Sequence, residues 1–132
     1  MIDNDRMTGG DVRLPRVLVL EDDSDTLIFL GRMLSMVPAD AVPANCCAAA
    51  RAAMQTSGPF DLILADGQLP DGDGVELAIA LKSEQGCATV VMSGTDPPEE
   101  GPPAGVDLWL VKPVRLEQLK NAIRALTQPS GE

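Results

Sequence analysis

The stretch FDLILADGQLPDGDG, residues 60–74, decides the fold of this chain. Residues 61–65 form a short apolar run ahead of an acid, and glycines, a proline and further acids follow. A run of that length bounded by turn residues reads as a strand buried on both faces. Residues 16–20 (RVLVL), 88–92 (ATVVM) and 106–111 (VDLWLV) repeat the pattern, while 40–45 is a weaker strand that Pro43 confines to an edge. Between them lie helical patterns. Residues 24–37, with Ser24 as cap and Pro38 as stop, carry Leu27, Leu30, Leu34 and Val37 at helical spacing. The Ala-rich 47–55 suits a small helix, 75–84 another after Gly74, and 115–126 a third, with Leu116, Leu119, Ile123 and Leu126 on one face. Strands alternating with helices imply βαβ units, and so an α/β, doubly wound parallel sheet covered on both faces.

Composition narrows the function. The chain has 132 residues, one domain by length, and a formal net charge of −10, which argues against direct nucleic-acid or anionic-membrane binding. It contains no histidine, so serine–histidine and cysteine–histidine catalysis and His-rich zinc sites are excluded. Its three cysteines, Cys46, Cys47 and Cys87, have neither disulfide-framework nor C-x-x-C spacing, and read as small hydrophobes in a reducing compartment. Neither a signal peptide nor a run of ~20 apolar residues is present, so a cytoplasmic location is expected. Residues 1–15 read as a flexible leader, 16–127 as the domain and 128–132 as a tail.

In doubly wound sheets, ligands bind beyond the carboxyl ends of the strands. Those ends carry Glu21, Asp22 and Asp23, then Asp66, then Ser93 and Gly94, then Lys112 and Pro113. Carboxylates crowded together must either take up protons or hold a cation. Mg²⁺ fits such a set, and an ammonium with a hydroxyl opposite it suits phosphoryl oxygens. The pattern points to Mg²⁺-dependent phosphoryl transfer onto a carboxylate.

Taken together, Leu18-Val19-Leu20-Glu21-Asp22-Asp23, the segment from Leu64 to Gly74, Val91-Met92-Ser93-Gly94 and Val111-Lys112-Pro113 resemble the receiver domain of two-component response regulators. The resemblance spans about residues 16–126. It implies a flavodoxin-like (βα)5 fold with a five-stranded sheet in the order 2-1-3-4-5. It also implies that Asp66 is the phosphoacceptor, and that Glu21, Asp22, Asp66 and the backbone carbonyl of Gln68 hold Mg²⁺. Ser93 corresponds to the switch hydroxyl, Lys112 to its charge partner, and Pro113 to the proline of a cis Lys-Pro bond. Gly94 matches a small-residue position. Gln68 and Thr95 match positions that tune loss of the phosphoryl group. A receiver of this kind is not a conventional enzyme; it catalyses only its own phosphorylation and dephosphorylation. Its donor is a histidine kinase or phosphotransfer protein, and its output a downstream protein partner.

Of the remaining acids, Asp61 reads as a solvated strand boundary, Asp71 and Asp73 as loop-shaping residues, and Asp23 as a loop acid near the metal. Asp71-Gly72-Asp73-Gly74-Val75 superficially resembles the nucleophile loop of haloacid-dehalogenase-type phosphatases, but lacks a strand directly before it. An EF-hand loop starting at Asp66 fails because Gln68 and Pro70 occupy ligand positions.

Two departures from the receiver pattern stand out. Residues 93–105, where the family carries its fourth helix, contain four prolines and three glycines. Each interior proline costs ~3 kcal/mol in a helix, so a shortened or irregular segment is expected. The usual dimer face is thereby altered, and a homodimer stays an open option. Trp109 stands where the family has a smaller switching aromatic, and acts either as a switch or as a fixed surface anchor. These departures motivate a second reading, a constitutive interaction module with the receiver fold but no use of phosphorylation. With no output domain after residue 126, the chain reads as a stand-alone receiver or as one domain of a longer protein.

Overall fold

A computed structural model describes residues 13–127. The elements are β1 (Arg16–Leu20), α1 (Ser24–Met36), β2 (Asp40–Ala44), α2 (Cys47–Ser57), β3 (Leu62–Asp66), β4 (Gln68–Leu69), β5 (Gly72–Asp73), α3 (Gly74–Gln85), β6 (Ala88–Ser93), β7 (Leu108–Val111) and α4 (Leu116–Thr127). Five strands form a parallel sheet in the order β2-β1-β3-β6-β7, which is the expected 2-1-3-4-5 order. β4 and β5 form a separate antiparallel hairpin directly after β3.

Strand alternation splits the core into two layers. Val17, Val19, Leu62, Leu64, Val90, Met92 and Leu110 face α1 and α4, packing on Leu30, Leu34, Leu119 and Ile123. Leu18, Leu20, Ile63 and Ala65 face α2 and α3, packing on Ala50, Met54, Leu77 and Leu81. Each fully buried aliphatic side chain stabilises the fold by about 1.5–3 kcal/mol. The two-faced burial explains why the central strands are apolar throughout, and the edge position of β2 accommodates Pro43.

Several local expectations need correction. The cap of α1 is Asp23, not Ser24: its carboxylate accepts from the Thr26 N–H at 2.9 Å and from the Thr26 hydroxyl at 2.5 Å. A carboxylate is favoured at a helix N-terminus, and the helix begins at Ser24, one residue earlier than a Ser24 cap implied. Asp61 is half-buried rather than solvated, accepting from the Arg16 N–H at 2.7 Å and lying 3.6 Å from Arg13. The last strand starts at Leu108 because Asp107 turns its carboxylate back onto the Thr89 N–H at 2.8 Å and onto Lys82 at 2.6 Å. Of the expected leader, residues 1–12 lie outside the described residues, as does the tail 128–132. Pro15 accepts a backbone bond from Asp40 at 2.8 Å.

No helix lies between β6 and β7. Turns replace it, with Gly101 N–H donating to the Pro98 carbonyl at 2.8 Å and Val106 N–H to that of Pro103 at 3.0 Å. Gly105 sits at φ 94°, a conformation that side chains rarely adopt, and a Cβ there would lie 3.1 Å from Ile79 of α3. The irregular segment is thus laid against α3 at a point where only glycine fits. No described helix is long and apolar enough to cross a membrane.

Candidate functional site

The carboxyl ends of β1, β3, β6 and β7 bring the expected site residues together. Glu21 follows β1, and its N–H continues the ladder to the Ala44 carbonyl at 3.0 Å, which fixes the backbone before the acids. Asp66 is the last residue of β3. Carboxylate oxygens of Glu21, Asp22 and Asp66 all lie within 4.8 Å of one another. Glu21 is 1% exposed, Asp66 half-buried and Asp22 exposed, so the cluster opens to solvent on one side.

Lys112, just beyond β7, reaches into this cluster. Its Nζ stands 3.3 Å from Glu21 and 3.4 Å from Asp66. The Lys112 N–H donates to the Ser93 carbonyl at 2.7 Å, and the Lys112–Pro113 peptide is cis, as expected. Burial works against the ammonium charge, but Glu21 and Asp66 outweigh it and hold the Lys112 pKa above its usual value. Glu21 moves the other way: burial first, then the neighbouring Asp66, raises its pKa from 4.5 to about 7 despite Lys112. Three carboxyl groups thus face a single ammonium, an excess of negative charge that adds to burial in raising the Glu21 pKa. That is the electrostatic condition a hard divalent cation relieves, and the oxygen donors suit Mg²⁺.

Asp66, Gly67, Gln68, Ser93, Gly94, Thr95 and Lys112 line an open cleft of about 420 Å³. A Cβ on Gly94 would meet nothing within 4 Å, so the backbone there borders open space in the cleft it shares with Asp66. The Ser93 hydroxyl is engaged with Thr95, accepting from its N–H at 3.1 Å and lying 3.1 Å from its Oγ1. Half-buried Trp109 donates its indole N–H to the Thr95 carbonyl at 3.0 Å. Gln68 lies in the β4–β5 hairpin, which lines a second cleft together with Ser93 and Trp109.

The loop after Asp66 is braced on three sides. Gly67 N–H donates to the Met92 carbonyl at 3.2 Å, and Gly74 N–H to the Gly67 carbonyl at 3.1 Å. A Cβ on Gly74 would lie 1.9 Å from the Asp66 carbonyl oxygen, so that position needs glycine. Asp73 caps α3 through the Val75 and Glu76 N–H groups at 2.8 and 3.2 Å. Asp71 does more than shape a turn: its two oxygens accept from the Cys47 and Ala48 N–H groups, at 2.8 and 3.2 Å, at the start of α2. That partnership was not readable in advance, because it joins residues more than 20 positions apart.

The five-stranded parallel sheet in this order, wound with helices on both faces, defines a flavodoxin-like α/β domain, with an acid cluster and a lysine at its carboxyl edge. The family model for the response regulator receiver domain matches residues 17–124, and the chain belongs to that family. Among relatives, it is 37% identical over 122 residues to the two-component response regulator ORR21 of Oryza sativa subsp. indica, covering 86% of this chain and 17% of that protein. It is 35% identical over 124 residues to the transcriptional regulatory protein PrrA of Mycobacterium tuberculosis, covering 91% of this chain and 53% of that one. The chain thus spans about half or less of these relatives' length. The receiver domain of the Francisella response regulator 1452 superposes with a TM-score of 0.74 at 26% identity, covering 86% of this chain and 96% of that one.

Proposed function

We propose that this receiver domain is a phosphorylation-dependent switch in which Asp66 accepts a phosphoryl group. The observation that carries the reading is the placement of Lys112 Nζ 3.4 Å from Asp66 and 3.3 Å from Glu21, at the mouth of a three-carboxylate cluster. These 132 residues contain no histidine, so the phosphohistidine donor lies outside them, on a histidine kinase or phosphotransfer module. An Asp66 carboxylate oxygen attacks the phosphorus, the P–N bond breaks, and the imidazole leaves with the bonding pair and takes up a proton. The product is an acyl phosphate on Asp66, which water later cleaves to restore the carboxylate. The domain acts on itself alone and is not a conventional enzyme.

Glu21, Asp22, Asp66 and the backbone carbonyl of Gln68 would hold Mg²⁺, which when bound neutralises charge on the transferring oxygens. Lys112 orients and stabilises a phosphoryl oxygen from the opposite side. Ser93 is the switch hydroxyl: released from Thr95, it turns toward the phosphoryl group, and the Thr95 carbonyl then loosens its hold on Trp109. The output is altered binding to a protein partner in the cytoplasm. The acidity of the chain opposes direct contact with nucleic acid or an anionic membrane.

A second reading, a constitutive interaction module, draws on the Ser93–Thr95–Trp109 chain of hydrogen bonds, which already occupies the switch groups. Titration with beryllium fluoride and Mg²⁺, followed by Trp109 fluorescence, separates the two. The switch reading expects a saturable, Mg²⁺-dependent change that Asp66→Asn abolishes. No binding of the mimic by the wild type would leave the constitutive module standing.

A further inference from the structure

We infer that Asp71 is a positioning residue that clamps the metal-holding loop to the first turn of α2, and so sets the affinity of the site for Mg²⁺. The inference rests on the Mg²⁺ reading above.

Helix α2 starts without a strong cap of its own. Its N-cap residue is Cys46, whose thiol is a weak acceptor 3.4 Å from the Ala49 N–H, and its first turn contains no acid. The unfilled N–H groups of Cys47 and Ala48 are taken instead by Asp71, which arrives from the hairpin after β3. Those two hydrogen bonds hold the Asp71 pKa below its usual value, so the clamp is charged at neutral pH. A carboxylate facing a helix N-terminus is also favoured by the helix dipole. Contact extends along the backbone, since a Cβ on Gly72 would lie 3.1 Å from Cys47 Sγ.

The hairpin leaves little slack between this clamp and Gln68. Gln68 pairs with Asp73 and Leu69 with Gly72, while Pro70 and Asp71 form the tip. At its other end the hairpin is tied through Gly67 to Met92 of β6 and to Gly74 at the start of α3. The Gln68 carbonyl therefore sits on a two-residue ladder anchored at the base by β6 and α3, at Leu69 by packing on the apolar layer beneath α2 and α3, and at the tip by the Asp71 bonds to α2. Releasing the tip frees the ladder to pivot about its base, which moves a metal-directed carbonyl without touching any carboxylate. Groups that orient metal ligands commonly control affinity in this way.

The test is Mg²⁺ binding by isothermal titration calorimetry, with thermal unfolding measured on the same samples, for wild type, Asp71→Ala, Asp71→Asn and Ala52→Gly. Ala52 is an exposed residue within α2, so its replacement loosens the helix without touching the hairpin. Asp71→Ala should weaken Mg²⁺ binding roughly 10-fold. Asp71→Asn, which keeps one acceptor, should recover part of the loss. Ala52→Gly should lower the melting temperature and leave Mg²⁺ affinity unchanged. If Asp71→Ala binds Mg²⁺ as the wild type does, or if Ala52→Gly weakens binding equally, the positioning role is overturned while the Mg²⁺ reading stands. Absence of Mg²⁺ binding by the wild type overturns both.

Discussion

Trp109 donates its indole N–H to the backbone carbonyl of Thr95 at 3.0 Å, and Thr95 in turn holds the Ser93 hydroxyl. A residue on the sheet edge and a residue at the cleft are thereby joined through one turn of the segment that replaces a helix. Trp109→Phe removes the donor and keeps an aromatic ring. It should cost about 1 kcal/mol in urea unfolding. Exchange of the Thr95 and Gly94 amide protons should also become faster, as measured by hydrogen–deuterium exchange.

Glu21 predicts a distinctive pH dependence. Its pKa in the folded protein is raised from 4.5 to about 7, so between those values the folded chain binds more protons than the unfolded one. The contribution of Glu21 favours folding fully below 4.5 and is lost as pH climbs through about 7. Its side chain is 2% exposed, and the loss should be on the order of 3 kcal/mol without Mg²⁺. Denaturation at pH 5 and pH 8 in chelator should reveal it, and Glu21→Gln should flatten the difference. The lowered pKa values of Asp23, Asp71 and Asp107 act below 3.8, and the raised one of Lys112 above 10.5, outside this window.

Gly74 couples the start of α3 to the backbone of Asp66. Gly74→Ala would drive a methyl group into the Asp66 carbonyl, which sits 1.9 Å from the added Cβ. Relief requires moving either β3 or α3, at a cost of about 1–3 kcal/mol in stability. Phosphoryl uptake from a small-molecule donor should slow as well. Unchanged uptake with lowered stability would place the shift in α3 rather than at Asp66.

Asp107 closes the helix-free connection. Burial opposes its charge, but Lys82 and the Thr89 N–H hold its pKa below 3.8, so its contribution is present above that value and is lost as pH falls through the lowered one. Asp107→Ala should destabilise the protein by about 1–2 kcal/mol, tempered by the partial exposure of both partners. Asp107→Asn should recover part of this by keeping an acceptor for Thr89, as read by urea midpoints.

The sheet was legible because its signals are local. LILAD and RVLVL announce buried strands by composition alone, and the acids and lysine at their ends mark one edge. The irregular connection before β7 was legible for the same reason, since prolines and glycines oppose a helix wherever they fall. What escaped were partnerships across distance. Asp61 meets Arg16, Asp71 meets Cys47 and Ala48, and Asp107 meets Lys82 and Thr89, with separations from 18 to 45 residues. In each case a short acid satisfies backbone N–H groups that only the folded topology brings near. Asp23 was misread differently: two good cap residues stand side by side, and spacing does not say which one is used.

Nucleophilic attack by Asp66 leaves a covalent product that can be weighed. It is tested most directly by the intact mass of the protein after incubation with a small-molecule acyl phosphate and Mg²⁺. The wild type should gain the mass of one phosphoryl group, chelation of Mg²⁺ should prevent the gain, and Asp66→Asn should gain none. A phosphoryl group found on the Asp66→Asn protein, or no mass gain by the wild type, would contradict attack by Asp66.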